Sequence, residues 1–248
     1  MTARIAGFIT RAEAGLRAPR SVSRNINAAA GGSALHYGGP AQPAARPHAS
    51  HALCVSTWRA WQRYHMDTHG WVDLAYTGGF CQHGYAFAGR GLGVRTAANG
   101  TDRGNATHYA FCWIGGEGQI PTPAAYDAAE WWIAEARRGG AGMSVKSHQY
   151  FKSTSCSGPL LTAHARFLDG KATTVPTVTP TTPTKDGPDM LVCKDPNSNE
   201  QFLIFGGGRK YITSTADLAT YERVCPRVTL TPAELASYPE VPRTPAQG

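Results

Sequence analysis

Between Lys171 and Pro188 the chain reads KATTVPTVTPTTPTKDGP, with seven Thr, four Pro and almost nothing that packs. Proline fixes φ and withholds a backbone donor, so such a run favours an extended, semi-rigid spacer over helix or sheet. One continuous core cannot form across it. The 248 residues therefore divide into a front domain over 1–170, a Thr/Pro-rich linker over 171–189 and a small module over 190–248. The front domain is long enough for a well-buried core, whereas a tail of about sixty residues barely supports one.

Hydrophobic and charged contents of 42% and 17% belong to a globular chain, which excludes a disordered one. No run approaches the ~18–20 apolar residues of a membrane-spanning helix, so membrane insertion is not expected. The first thirty residues lack an apolar signal-peptide core and are interrupted by Arg11, Arg17, Arg20 and Arg24. Synthesis in a cytoplasm is expected, with any route outward supplied by another component. The net charge of +7 lies wholly in the front domain. A basic domain is drawn to polyanions, whether nucleic acid or an acidic cell wall. With no Lys/Arg block or RNA-binding signature, no nucleic-acid partner is expected.

Six cysteines (Cys54, Cys81, Cys112, Cys156, Cys193 and Cys225) without an export signal read mainly as reduced, buried thiols, with a metal ligand among them. Cys193 and Cys225 read as independent thiols, a disulfide being the alternative.

Periodicity predicts a helix over 51–66, with Cys54, Trp58, Trp61 and His65 along one face. A second is predicted over 123–138, capped by Thr122 with Pro123 at its first position, burying Ala125, Ala129, Trp132 and Ala136. Val72–Tyr76, Tyr85–Ala88 and His108–Ile114 read as strands. Helices on either side of a strand-rich middle predict an α/β fold around a mixed central sheet. In the tail, MLVCK and QFLIF read as a hairpin and RKYIT as a third strand, a β-rich module. Short helices capped by Ser214 and by Thr231 with Glu234 would follow.

Nine histidines need a reason to choose among them. His65 and His69 stand at i and i+4, as in the HExxH zinc motif, but Met66 occupies the place of the general base. His148 and Cys156 lie eight residues apart before Gly158-Pro159. Imidazole and thiolate are both good zinc ligands, and a catalytic site needs a third.

Six segments occur in order: ITRAEAG (9–15), LHYGGP (35–40), WQRYHMDTHGWVDLAY (61–76), GYAFAGRG (84–91), FCWIGGEG (111–118) and HQYFKSTSC (148–156). Together they resemble the superfamily of peptidoglycan recognition proteins and phage-type N-acetylmuramoyl-L-alanine amidases, over roughly residues 7–170. The resemblance implies a mixed sheet flanked by helices, with Zn²⁺ held by His36, His148 and Cys156. It also implies catalytic roles for Tyr76 and Thr154. The substrate implied is bacterial peptidoglycan, cut between N-acetylmuramic acid and L-alanine, by a monomeric enzyme. Arg90 would bind a substrate carboxylate or anchor a turn, and Glu117 reads as a loop residue. Three departures stand out: Tyr76 continues as Thr77-Gly78, Ser157 replaces a Pro, and Cys112 stands where some relatives carry a catalytic Glu. The modular order fits a phage endolysin whose tail binds a cell-wall polymer. A non-catalytic peptidoglycan binder and a virion-associated wall-degrading protein are the alternatives. Receptors of the fold typically lack the Cys ligand, which this chain keeps.

Overall fold

The computed structural model describes residues 5–46 and 49–170, and four tail strands at 190–194, 201–205, 208–211 and 227–229. The chain divides into two compact units, Met1–Thr177 and Val178–Gly248. The linker over 171–189 and the helices expected near Ser214 and Thr231 lie outside the described residues.

The front unit is built on six strands: β1 (Gly7–Ile9), β2 (Gly32–Tyr37), β3 (Gly78–Phe80), β4 (Tyr85–Ala88), β5 (His108–Trp113) and β6 (Ser144–Ser147). Their order is β1-β4-β3-β5-β2-β6, and only the β3–β4 pair is antiparallel. Every residue of the neighbouring strands β2 and β5 is buried, as expected of central strands covered on both faces.

Four helices cover the sheet: α1 (His51–Arg63), α2 (Asp102–Thr107), α3 (Pro123–Arg138) and α4 (Gly158–Leu168). On one face Leu35, Tyr37, Phe111 and Trp113 pack with Ala125, Ala129 and Trp132 of α3 and Leu161 of α4. On the other, Cys112 and Ile114 pack with Cys54 and Trp58 of α1. α3 matches the sequence expectation in both bounds and buried stripe, and the Thr122 side chain accepts from the Ala125 amide as its cap.

Two expectations need correction. The buried line of α1 continues from Trp58 to Gln62 and then to Met66 in the π-helical turn that follows it, and not to Trp61 and His65. A glutamine is tolerated there because it is satisfied: it bonds both backbone groups of Arg17 and the Asp73 carboxylate. Val72–Tyr76 forms no strand. Asp73 turns inward and accepts from Arg11, Gln62 and its neighbour's amide, so side chains hold this segment in place of a sheet ladder.

Strand β3 begins with two glycines, and each faces an indole. A Cβ on Gly78 would stand 2.4 Å from the Trp132 ring, and one on Gly79 2.6 Å from Trp58. Trp132 also donates to the Gly79 carbonyl, at 2.7 Å. Nothing larger than hydrogen fits between strand and rings.

In the second unit, β7 (Met190–Lys194) and β8 (Gln201–Phe205) pair antiparallel, as do β8 and β9 (Gly208–Tyr211). β10 (Arg227–Thr229) runs parallel to β7. No helix of the described residues is long and apolar enough to cross a membrane.

Candidate metal centre

Alternation along β2 sends Leu35 and Tyr37 toward α3 and α4, leaving His36 on the α1 side beside Cys112 of β5. His148 opens a 3₁₀ turn directly after β6, and Cys156 lies two residues before α4. The three meet, with one donor atom from each lying within 4.8 Å of the others. His36 Nδ1 is 3.8 Å from Cys156 Sγ, and the two imidazole centroids are 4.6 Å apart.

Hydrogen bonding fixes the His36 tautomer. Asn99 donates its amide hydrogens to the carbonyls of Gly104 and His108, each at 2.9 Å, so its Oδ1 must accept. It accepts from His36 Nε2 at 2.9 Å, leaving Nδ1 as a bare lone pair toward Cys156. Burial, with His148 adding to it, holds the His36 pKa down at about 3, so the ring is neutral. Burial and then Lys152 lower His148 as well. Burial pushes the Cys156 thiol up to about 11, while the Tyr37 amide donates to its sulfur at 3.3 Å.

These donors fit a metal ion. His148 Nε2 is buried with no hydrogen-bond partner, a situation that costs about 1–3 kcal/mol unless something fills it. Two neutral imidazoles and a thiol form a nitrogen/sulfur set suited to zinc, and a nearby dication favours the thiolate. Three protein donors leave a fourth position open.

Tyr76 lies against this group, its ring 5.7 Å from that of His36. Trp58 stacks on it at 6.0 Å, and Trp61 flanks it at 6.3 Å. Burial, followed by the Cys112 and Cys156 thiols, holds the phenol well above its ordinary value, so it stays a donor. Cys112 is itself fully buried and raised, chiefly by burial, and so is no proton acceptor at neutral pH. The Thr154 hydroxyl accepts from the Cys156 amide at 3.2 Å, which shapes the turn presenting the sulfur.

Other sequence candidates fall outside the group. Arg90 gives two donors to the carbonyls of Leu74 and Arg95, and its amide bonds the Tyr76 carbonyl. It anchors the irregular segment that carries Tyr76. Glu117 is an exposed loop residue. His65 accepts from the Ala75 amide and, like His69, stacks on Trp71, so this pair braces the same segment. Asn99 and the Tyr37 amide went unmarked in the sequence, because a single Asn and a backbone N–H carry no motif.

No family model matches the chain. A curated Sus scrofa protein named N-acetylmuramoyl-L-alanine amidase is 30% identical over 125 residues, 47% of this chain and 20% of that protein. The chain thus spans about a fifth of that relative's length. Among solved structures, wild-type Drosophila PGRP-LB aligns with a TM-score of 0.57 and 25% identity, over 65% of this chain and 94% of that one. A Tyr-to-Phe variant of PGRP-LB in complex with tracheal cytotoxin aligns with the same score and identity, over 64% and 92%. PGRP-LE, solved with tracheal cytotoxin described as monomeric diaminopimelic acid-type peptidoglycan, shares the fold at 19% identity and a TM-score of 0.54, over 64% and 92%. With its six-stranded mixed sheet and flanking helices, the front unit has the fold of the peptidoglycan recognition proteins and resembles, in sequence and structure, their superfamily with the N-acetylmuramoyl-L-alanine amidases.

Proposed function

We propose that the front unit is a zinc-dependent amidase that cleaves peptidoglycan between N-acetylmuramic acid and the L-alanine of the stem peptide. The observation that carries this reading is the convergence of His36, His148 and Cys156 beside the donor Tyr76. The Sus scrofa relative bears the name of this activity, and a PGRP-LB variant is solved with tracheal cytotoxin, a ligand of the expected class.

His36, through Nδ1, His148 and Cys156 would hold the metal, with Asn99 orienting His36 and the Tyr37 amide steadying the sulfur. Bound zinc supplies Lewis acidity toward the scissile carbonyl and an attacking water. The net reaction adds hydroxyl to the lactyl carbon and a proton to the departing alanine nitrogen. As that carbon becomes tetrahedral, negative charge collects on its oxygen. Tyr76, fixed by Trp58 and Trp61 and protonated throughout the neutral range, donates to that oxygen. Thr154 orders the Cys156 turn with its oxygen and keeps its own O–H free to donate to substrate.

On this reading the whole chain is a phage endolysin, made in the host cytoplasm and acting on the wall after release. Its second unit would add a wall-binding contact, and two tethered contacts raise avidity without changing either one. The test is incubation of zinc-loaded protein with purified walls. New alanine amino termini should appear without new reducing sugar ends, stop with a chelator and return with zinc. Reducing ends, or amino termini of other residues alone, would overturn the assignment.

A further inference from the structure

A second group of His and Cys side chains lies in the front unit, outside the site just described. One donor atom from each of His51, Cys54, Cys81 and His83 falls within 4.8 Å of the others. His51 and Cys54 occupy the first turn of α1, capped by the Ser50 hydroxyl. Cys81 and His83 belong to the turn joining β3 to β4, closed by a bond from the Gly84 amide to the Cys81 carbonyl. The spacing is His-x₂-Cys on the helix and Cys-x-His on the turn.

The distances suit a tetrahedron. Metal–sulfur and metal–nitrogen bonds of about 2.3 and 2.0–2.1 Å place nitrogen and sulfur about 3.6 Å apart across a tetrahedral edge. His83 Nδ1 is 3.5 Å from Cys54 Sγ and 3.7 Å from Cys81 Sγ, and His51 Nδ1 is 3.8 Å from Cys81 Sγ. The tautomer suits as well. His83 Nε2 lies 2.8 Å from the Ala49 carbonyl, which only accepts, so Nε2 carries the hydrogen and Nδ1 is bare toward the sulfurs. His51 stacks on Tyr85 at 3.8 Å, and its Nε2 is buried without a partner. Both sulfurs are fully buried.

We propose that His51, Cys54, Cys81 and His83 bind a second zinc ion in a closed Cys₂His₂ site that pins the start of α1 to the β3–β4 turn. Two thiolates and a dication leave the buried group without net charge. Four protein ligands leave no open position, so the ion's role is structural. One turn along α1 from Cys54 stands Trp58, which stacks on Tyr76, so the pin also sets the wall behind the first site.

Two double variants of the full chain separate the sites. Purified under reducing conditions with zinc, Cys54→Ser/Cys81→Ser should hold one zinc fewer than the wild type by elemental analysis. His148→Ala/Cys156→Ser should keep one ion, and its cobalt form should show tetrahedral visible bands with thiolate-to-cobalt absorption. A Cys54/Cys81 variant with the wild-type zinc content would overturn the proposal, and so would a His148/Cys156 variant that binds no metal. Peptide mapping that finds Cys54 joined to Cys81 in the purified chain would overturn it too. If the Cys54/Cys81 variant does not fold, the metal content and cobalt spectrum of the other variant decide alone. Neither readout depends on wall cleavage, so the amidase reading and this one fail separately.

Discussion

The two His/Cys groups of the front unit differ in how they are assembled. The first draws single residues from β2, from the turn after β6 and from the loop before α4, and stops at three donors. The second draws two local pairs, from one helical turn and one tight turn, and reaches four. An incomplete set gathered from distant segments leaves room for a substrate atom, whereas a complete set gathered from adjacent elements ties them together. Variants of the first group should therefore cost chemistry, and variants of the second should cost stability.

The largest effect is expected at Tyr76. Tyr76→Phe should keep its zinc and lower turnover on defined muropeptides by roughly 10²–10³, the usual loss for one oxyanion donor. Unchanged turnover would make Tyr76 a passive wall of the site and blur the contrast.

Asn99 comes next. Asn99→Ala frees the His36 tautomer, and loss of such an outer partner typically costs ~10–100-fold in metal affinity or activity. Competition against a chromophoric chelator would measure it. Zinc affinity equal to wild type would show that β2 positions His36 unaided.

Cys81→Ser should act the other way, with a lower melting temperature and, in the cold, a loss of turnover well below that of Tyr76→Phe. A variant that melts normally but turns over slowly would reverse the roles given to the two groups.

The smallest effect is an acid dependence that belongs to neither group. Burial, reinforced by His69 and Arg90, lowers His65 to about 4, and burial, reinforced by Lys146, lowers His108 to about 4. In the unfolded chain both return to about 6.5. Between pH 6.5 and 4 the unfolded state then binds more protons, so stability is full above 6.5 and falls as pH drops through that window. Denaturant midpoints across the range would record it, and His65→Gln should flatten the slope. An unchanged slope in that variant would remove His65 from the account.

Much of the front unit was legible because local rules and tertiary packing agree. In α3 the Thr122 cap, Pro123 and an Ala/Trp stripe all point to one helix. Val72–Tyr76 misled because its apolar alternation is overruled by one buried carboxylate, and the partners of Asp73 are distant in sequence. The His36, His148 and Cys156 group was reached through resemblance, since the first two stand 112 positions apart and no local spacing links them. The Cys₂His₂ group stayed hidden for a related reason. Each half is too short to be a motif, and their meeting depends on how α1 lies over the β3–β4 turn.

The two glycines that open β3 carry a consequence for how this sequence can change. Across them only backbone separates the indole of Trp132 on one face from that of Trp58 on the other. A mutational tolerance map of the front unit should therefore show a sharp minimum here, in a three-residue strand with no chemistry of its own. Even alanine at Gly78 or Gly79 would have to push an indole away, and at Gly79 the displaced ring is the one stacked on Tyr76. Variation around the His36, His148 and Cys156 group will come more readily from the loops than from the sheet beneath.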